Sequence, residues 1–160
     1  MAIYLLYEGI KGNVTADGYK DHIQISSLQF GVGRGVSMEP GNLANREATR
    51  PSISELTITK AADNSVTDFF RESVVGSAGK TAKFKFVQTG TDKVVEYMNV
   101  DLFDCIVSGY SISAPGDGDP HESISISFSK IEVNYNDFDT ANKNSNPQRV
   151  GYDLATAKPI

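Results

Sequence analysis

The chain has 160 residues, of which 39% are hydrophobic and 22% charged, and its net charge of −5 corresponds to a pI near 5.0. This length fits one domain with an ordinary hydrophobic core, and the composition argues against disorder over the whole chain. The acidic balance argues against nucleic acid and anionic membrane surfaces as partners, because both are bound through clustered cations.

Residues 3–7 form a compact apolar run that predicts a buried strand, bounded by Gly9 and Gly12. The run has no cationic region before it, and Glu8 ends it too early for a secretory signal peptide. No stretch approaches the length of a transmembrane helix, so we expect no membrane insertion. Any export should therefore use a route that needs no cleaved signal.

Residues 22–32 are predicted to form a second strand whose apolar positions change parity midway. Ile23 and Ile25 are odd-numbered, whereas Leu28 and Phe30 are even-numbered. A strand that changes its buried face usually contains a bulge or crosses between two sheets.

Residues 37–50 form a long polar segment that is closed by Pro51 and contains Gly41. The segment has no convincing period, so we expect a loop. A loop of this length in a compact domain is usually functional or is ordered by a partner.

Residues 65–76 are the one good helix prediction. Asn64 or Ser65 can cap its start, and Gly76 or Gly79 can end it. An apolar stripe follows the helical spacing at Val66, Phe69, Phe70 and Val74. The stripe is expected to pack in the core, with the alternative that part of it meets a neighbouring subunit.

The rest of the chain is predicted to be β structure, with a turn at residues 114–120 and a polar loop at residues 137–148. The apolar parity flips again after Lys130, which indicates another bulge or sheet crossing. The further strands are predicted at residues 53–60, 83–88, 94–113, 123–135 and 150–154. The fold class is therefore mainly β: a two-sheet antiparallel barrel or sandwich with one flanking helix.

The serines of residues 123–129 alternate with Ile124, Ile126 and Phe128. Such a row is by default a solvated sheet face. A face this small and uncharged would also suit a smooth channel wall.

No catalytic set is evident. His22 and His121 are the only histidines, and both are expected to be ordinary surface side chains. Cys105 is the single cysteine, so no intramolecular disulfide is possible, and its apolar and acidic neighbours predict a buried structural thiol. We find no nucleophile elbow, no zinc spacing, no Walker lysine after the glycines of residues 31–35, and no complete calcium loop at residues 117–119. We expect no enzyme activity, metal or cofactor.

Several segments resemble one known family. They are Ile-Tyr-Leu-Leu-Tyr-Glu-Gly-Ile-Lys-Gly at 3–12, Leu-Thr-Ile-Thr-Lys-Ala-Ala-Asp-Asn-Ser at 56–65, Val-Asn-Tyr at 133–135 and Gly-Tyr-Asp-Leu at 151–154. Their order and spacing resemble the hemolysin-coregulated protein (Hcp) family, the inner-tube subunits of type VI secretion.

The resemblance implies a single tube domain over residues 1–160, without a C-terminal toxin extension. It implies hexameric rings that stack into a tube, are enclosed by a sheath and are expelled with a spike protein. The lumen would carry small effector proteins. The protein would act in the bacterial cytoplasm and then be secreted without a cleaved signal peptide.

The resemblance also suggests where such a subunit makes contacts. Ser27 and Gln29 are candidate lumen contacts, because they lie opposite the predicted core positions of their strand. The candidate inter-subunit residues of the polar segment are Glu39, Asn42, Arg46, Glu47 and Arg50.

Two alternatives stay open at this stage. A phage-type tail tube subunit has the same fold, and a stand-alone ligand-binding β-barrel would need no ring. A small hydrolase is disfavoured by the sparse histidines.

Overall fold

The protein is described by a computed structural model that covers residues 1–48, 50–89, 94–138 and 144–160, with the backbone alone for 37–39, 42–48, 89, 137–138 and 144–147. The described residues form one helix, α1 (Val66–Val75), and a set of strands. In chain order the strands are β1 (Ala2–Tyr7), β2 (Ile23–Ile25), β3 (Ser27–Gln29), β4 (Val32–Gly33), β5 (Val36–Glu39), β6 (Asn42–Ala48), β7 (Ser52–Ile53), β8 (Leu56–Ala61), β9 (Lys80–Thr89), β10 (Val94–Ser113), β11 (His121–Ser127), β12 (Lys130–Phe138), β13 (Asn144–Asp153) and β14 (Lys158–Pro159).

Two antiparallel sheets share the long strand β10. The first sheet has the order β2-β1-β9-β10-β12-β13-β14 and uses the first half of β10, residues 94–105. The second sheet has the order β10-β11-β8-β3 and uses residues 106–113 of β10. The mainly β, antiparallel fold class with one helix is confirmed.

The chain crosses between the sheets where the sequence changes parity. β2 pairs with β1 in the first sheet, and β3 pairs with β8 in the second, so the crossing falls at Ser26. A second crossing separates β11 from β12, at the parity flip around residues 128–130. The predicted changes of buried face are therefore confirmed as sheet crossings, which close the two sheets around one core.

The core lies between the inner faces of the sheets and under α1. It is built from alternating apolar positions of both sheets, because successive side chains of a strand point to opposite faces. Its fully buried members include Leu5, Ile23, Leu56, Ile58, Phe69, Phe84, Val100, Leu102, Ile124 and Ile126.

Helix α1 occupies the predicted part of the chain, but the Ser65 side chain makes no capping hydrogen bond. Ser65 is the N-cap residue, and Gly76 follows the last turn and donates its N–H to Glu72. Phe69 is fully buried and packs edge-on against Tyr7, with 5.6 Å between ring centroids. Phe70 and Val74, however, are exposed. The core prediction for the apolar stripe is therefore confirmed at Phe69 and wrong at Phe70 and Val74.

The prediction of a loop at residues 37–50 is wrong, because β5 and β6 form an antiparallel hairpin. Glu39 pairs with Asn42 across the Pro40-Gly41 turn, and Val36 pairs with Ala48 at the base. Gly41 has φ +84°, a conformation that glycine adopts without strain. The hairpin forms a two-stranded sheet of its own, so its strands show no alternation toward a core.

The predicted polar loop at residues 137–148 is also wrong over its described part. β12 continues to Phe138 and β13 begins at Asn144, and the two strands pair along their length. Residues 139–143 lie outside the described residues. Backbone hydrogen bonds between β12 and β13 hold this part of the two strands together, and its sequence shows no alternation of apolar residues.

No helix in the described ranges has the length and apolar character needed to cross a membrane.

Candidate functional site

The outward face of the second sheet is lined by small, uncharged side chains in two cross-strand rows. One row joins Ser27, Thr59, Ser123 and Ser111 across the four strands. The next joins Gln29, Thr57, Ser125 and Gly109. The serine row expected from the sequence is thus continued by hydroxyl side chains on every neighbouring strand.

Ser27 and Gln29 lie on this outward face, and both are exposed. The Ser27 hydroxyl is hydrogen-bonded to the Thr59 hydroxyl on β8. Leu28 and Phe30 pack against the core from the other side. The predicted orientation of the strand is therefore confirmed, and the two candidate lumen residues belong to a continuous polar wall.

Both edges of the second sheet are open within the described part of the chain. β3 pairs only with β8, and residues 106–113 of β10 pair only with β11. In an antiparallel sheet of four strands the two edge strands run in opposite directions. A second copy placed beside the first would therefore meet it with antiparallel edges.

An apolar groove lies beside one of these edges, between α1 and β10. Its volume is about 620 Å³, and it is lined by Val66, Thr67, Phe70, Arg71, Val74, Val75, Tyr110 and Ile112. The Phe70 and Tyr110 rings meet nearly edge-on, with 5.9 Å between centroids.

A buried polar network holds the wall of this groove. Tyr110 donates its hydroxyl to Glu122 at 2.6 Å, and Glu122 is paired with the fully buried Lys60 ammonium. Lys60 also contacts Asp63 at 3.0 Å, whose carboxylate accepts bonds from the Ser65 backbone N–H and hydroxyl.

The pKa values of two groups in this network follow from their surroundings. Burial and the bond to Glu122 raise the pKa of Tyr110 far above its usual range, so its hydroxyl remains a donor. Burial opposes ionisation of Asp63, yet the hydrogen bonds from Ser65 and Lys60 hold its pKa below the usual value.

Sequence reasoning missed this network, although the alternation of the strands contained a signal for it. Lys60 has the same parity as the buried Leu56 and Ile58, and Glu122 has the same parity as Ile124 and Ile126. A lysine and a glutamate on the buried faces of two strands predict an internal ion pair if the strands are neighbours.

The outward face of the first sheet is different because it carries charges. Glu132 accepts a bond from Arg149 at 2.6 Å and lies 3.5 Å from the Lys130 ammonium. The bond from Arg149 lowers the pKa of Glu132, whereas burial raises the pKa of the neighbouring Asp101.

The histidines and the cysteine are separated in the fold. His121 is exposed at the start of β11. His22 is buried against Tyr19, and its Nδ1 lies 3.2 Å from the Lys20 carbonyl oxygen. The prediction of a surface position is therefore wrong for His22. Cys105 is buried as predicted, and burial raises the pKa of its thiol to about 12.

No group of three or more potential metal-ligating side chains occurs among the residues that the structure describes.

The candidate contact residues of the polar segment are only partly described. Arg50 is exposed after the β5–β6 hairpin. The side chains of Glu39, Asn42, Arg46 and Glu47 lie outside the description, although their backbones lie on the hairpin. Their predicted contacts stay predictions.

The fold is similar to solved structures along nearly its whole length. One, "Structure of a type six secretion system protein", is 22% identical and covers 99% of both chains with a TM-score of 0.92. Hcp1 from Salmonella typhimurium is 22% identical, with a TM-score of 0.80 over 99% of this chain and 98% of that chain. A type VI secretion system effector from Yersinia pestis is 18% identical, with a TM-score of 0.74 over 94% and 98% of the two chains. At these identities the similarity defines the class, which is a protein with the Hcp fold.

Sequence comparison gives the particular family. The model "Type VI secretion system effector, Hcp" matches residues 4–135, which is most of the chain. The protein belongs to this Hcp family of secreted type VI secretion proteins. Membership supports a role as a tube subunit of that system. A comparison with curated protein sequences found no significant match.

Proposed function

We propose that this chain is a structural tube subunit that closes into hexameric rings, which stack into the inner tube of a type VI secretion system. The single observation that carries the proposal is the open four-stranded second sheet with rows of hydroxyl and amide side chains on its outward face. Antiparallel edges let each copy continue the sheet of the last one, and contacts between two different surfaces close into a ring when the rotation permits. Six copies per ring are proposed because the resemblance to the Hcp family implies hexamers.

The second sheet lines the channel in this proposal. Its hydroxyl and amide groups offer hydrogen bonds to a passing protein without the desolvation that a wall of charges would impose. Each ring repeats Ser27 and Gln29 in every copy, so weak contacts add up to useful avidity. Small effector proteins are the proposed cargo, and the sheath and the spike protein are the proposed outer partners.

The proposed role is non-enzymatic, and it covers residues 1–160 as one tube domain. The described titratable groups support it, because Cys105 is buried with a raised pKa, and His22, just before β2, and His121, at the start of β11, lie in different parts of the fold. Export would use the secretion machinery itself, without a cleaved signal peptide. The alternative reading as a stand-alone ligand-binding barrel has no specific observation in its favour.

Native mass spectrometry of the purified protein tests the proposal. We expect a dominant species of six chains, with stacked multiples at higher concentration. A monomer at every concentration would contradict the ring. As a test of the non-enzymatic role, hydrolase substrates should show no turnover that disappears on His22→Ala or His121→Ala.

A further inference from the structure

The groove between α1 and β10 leaves large apolar side chains in solvent. Val74 is 66% exposed and Val75 69%, while Phe70 and Ile112 are 56% and 51% exposed. Scattered apolar residues on a surface need no explanation, but a contiguous apolar patch marks an interaction site. The groove therefore has the composition of a surface that is covered when the protein works.

The groove is also held in shape before anything binds. Tyr110 forms part of its wall, and its hydroxyl is fixed by the buried Glu122 carboxylate. Phe70 rests against the Tyr110 ring. A surface that is rigid in the free protein loses less conformational freedom on binding. The buried polar network thus stabilises a ready-made docking site.

We infer that this groove receives residues 32–36 of the next copy in the ring, so that the exposed Val32 and Val36, which flank Arg34 at one edge of each subunit, cover the apolar groove at the other. The inference rests on the proposed ring and specifies the contact that closes it.

The groove lies at one open edge of the second sheet. Its wall residues Tyr110 and Ile112 belong to the part of β10 that forms one open edge of the second sheet. The opposite edge is β3, and the chain leaves β3 directly into β4. Val32 follows Gln29 by three residues, which span at most about 11 Å of extended chain. A copy whose β3 extends the sheet therefore places its Val32 within about 11 Å of the Gln29 that lies at the shared edge.

Residues 32–36 expose two large apolar side chains. Val32 is 60% exposed and Val36 is 50% exposed. They are large apolar side chains on short strands, β4 and β5, outside the two main sheets. The chain thus carries two separate exposed apolar surfaces, which is what a head-to-tail interface between identical subunits requires.

The lengths of the two surfaces also agree. The ten residues of α1 give a groove of about 15 Å at 1.5 Å per residue. Residues 32–36 span about 13 Å when extended, at about 3.3 Å per residue. The segment can therefore lie along the helix without a turn.

A matched pair of charge substitutions tests the groove. Val74→Glu places a carboxylate in the groove, and Val150→Glu places one on β13 of the first sheet at nearly the same exposure, 69%. We expect Val74→Glu to convert the six-chain species into monomer in native mass spectrometry, with Val150→Glu still forming rings. Rings in Val74→Glu, or equal loss of rings in both variants, would overturn the inference.

Cross-linking tests the occupant with substitutions too mild to unfold the barrel. One chain carries Val32→Cys and a differently tagged chain carries Val74→Cys, and both are co-expressed and treated with a short bis-maleimide. Cys105 does not interfere, because it is buried and its thiol has a pKa of about 12. We expect a product that contains both tags and is lost when either cysteine is omitted.

The outcomes separate this inference from the proposed function. If the wild-type protein forms rings but the co-expressed Val32→Cys and Val74→Cys chains give no product with both tags, the groove has another occupant and this inference is wrong while the ring stands. Rings that persist in Val74→Glu together with lost secretion would point to the sheath or another partner, and would also overturn it. If the wild type forms no rings, the proposed function itself fails.

Discussion

Lys60 and Glu122 place two opposite charges inside the barrel, where neither is hydrated. The pair joins β8 to β11, and through Tyr110 and Asp63 it reaches β10 and the start of α1. Removing one buried partner leaves the other charge uncompensated, which costs far more than the pair contributes as a whole. This network is therefore the place where single substitutions reveal how the helix is held on the second sheet.

We expect Lys60→Met to lower the free energy of unfolding by about 3–5 kcal/mol, because the Glu122 carboxylate would remain buried and unpaired. The double variant Lys60→Met, Glu122→Leu should lose less free energy of unfolding than this single variant, because it removes both charges. Urea denaturation of the wild type, the two single variants and the double variant measures the coupling. Additive losses would show that the two charges do not depend on each other.

Gly12 is a second residue whose identity the backbone requires. A Cβ atom there would lie 2.3 Å from the His22 carbonyl oxygen, and the Gly12 N–H donates to the Asp21 carbonyl oxygen at 2.8 Å. We expect Gly12→Ala to lower the free energy of unfolding by about 1–3 kcal/mol, as overpacking does in other proteins. Chemical denaturation measures this difference. Gly116→Ala is the control, because nothing lies within 4 Å of a Cβ at that hairpin tip. Equal stability of the two variants would contradict the close approach.

At the scale of elements, β strands with one buried face could be predicted, whereas the separate two-stranded hairpin could not. The parity changes in residues 22–32 and after Lys130 predicted a bulge or a sheet crossing, and both are crossings, because a strand that enters another sheet must turn its apolar side chains to a new face. The hairpin β5–β6 is a two-stranded sheet of its own, so the apolar period is missing where backbone pairing continues. Its one local signal was the Pro40-Gly41 dipeptide, which favours a tight turn.

The candidate sites also differ in whether a local sequence pattern could predict them. The outward positions of Ser27 and Gln29 followed from alternation within one strand. The groove required knowledge that α1 lies beside the free edge of β10, which no local pattern contains. A helical stripe shows that an apolar face exists, but it does not say whether that face meets the core or another subunit.

The β5–β6 hairpin can be shortened without touching the barrel, because neither strand pairs with the two main sheets in the described residues. Replacing residues 37–47 by Asn-Gly joins Val36 to Ala48, which are already cross-strand partners, through a turn that suits a hairpin. We expect a cooperative thermal transition within a few degrees of the wild type, but weaker assembly in light scattering. Normal rings and tubes from the shortened protein would show that the hairpin makes no essential contact.

At the scale of the whole molecule, the two sheets offer contrasting surfaces. The second sheet presents rows of hydroxyl and amide side chains, and the first presents a charged cluster around Glu132 and Arg149. A tube has one surface toward its cargo and another toward its sheath. We therefore assign the outward face of the second sheet to the channel and that of the first sheet to the outside.

Gln29→Arg and Gln24→Arg test this assignment as a matched pair. Both glutamines are exposed strand residues, but Gln29 lies on the second sheet and Gln24 on the first. We expect rings from both variants. Secretion of the native effectors should fall at least about tenfold for Gln29→Arg alone, because a ring of added charges at the wall easily exceeds the ~1.4 kcal/mol that a tenfold change represents. Equal secretion by the two variants would show that Gln29 does not lie on the channel wall.

The most direct test of the central claim is a cryo-electron microscopy reconstruction of the assembled wild-type protein. We expect a closed ring of six copies whose channel is lined by the second sheet, with a row of hydroxyl side chains facing the lumen: Ser27, Thr59, Ser123 and Ser111. A ring whose channel is lined instead by the first sheet, with Glu132 and Arg149 toward the lumen, would contradict it.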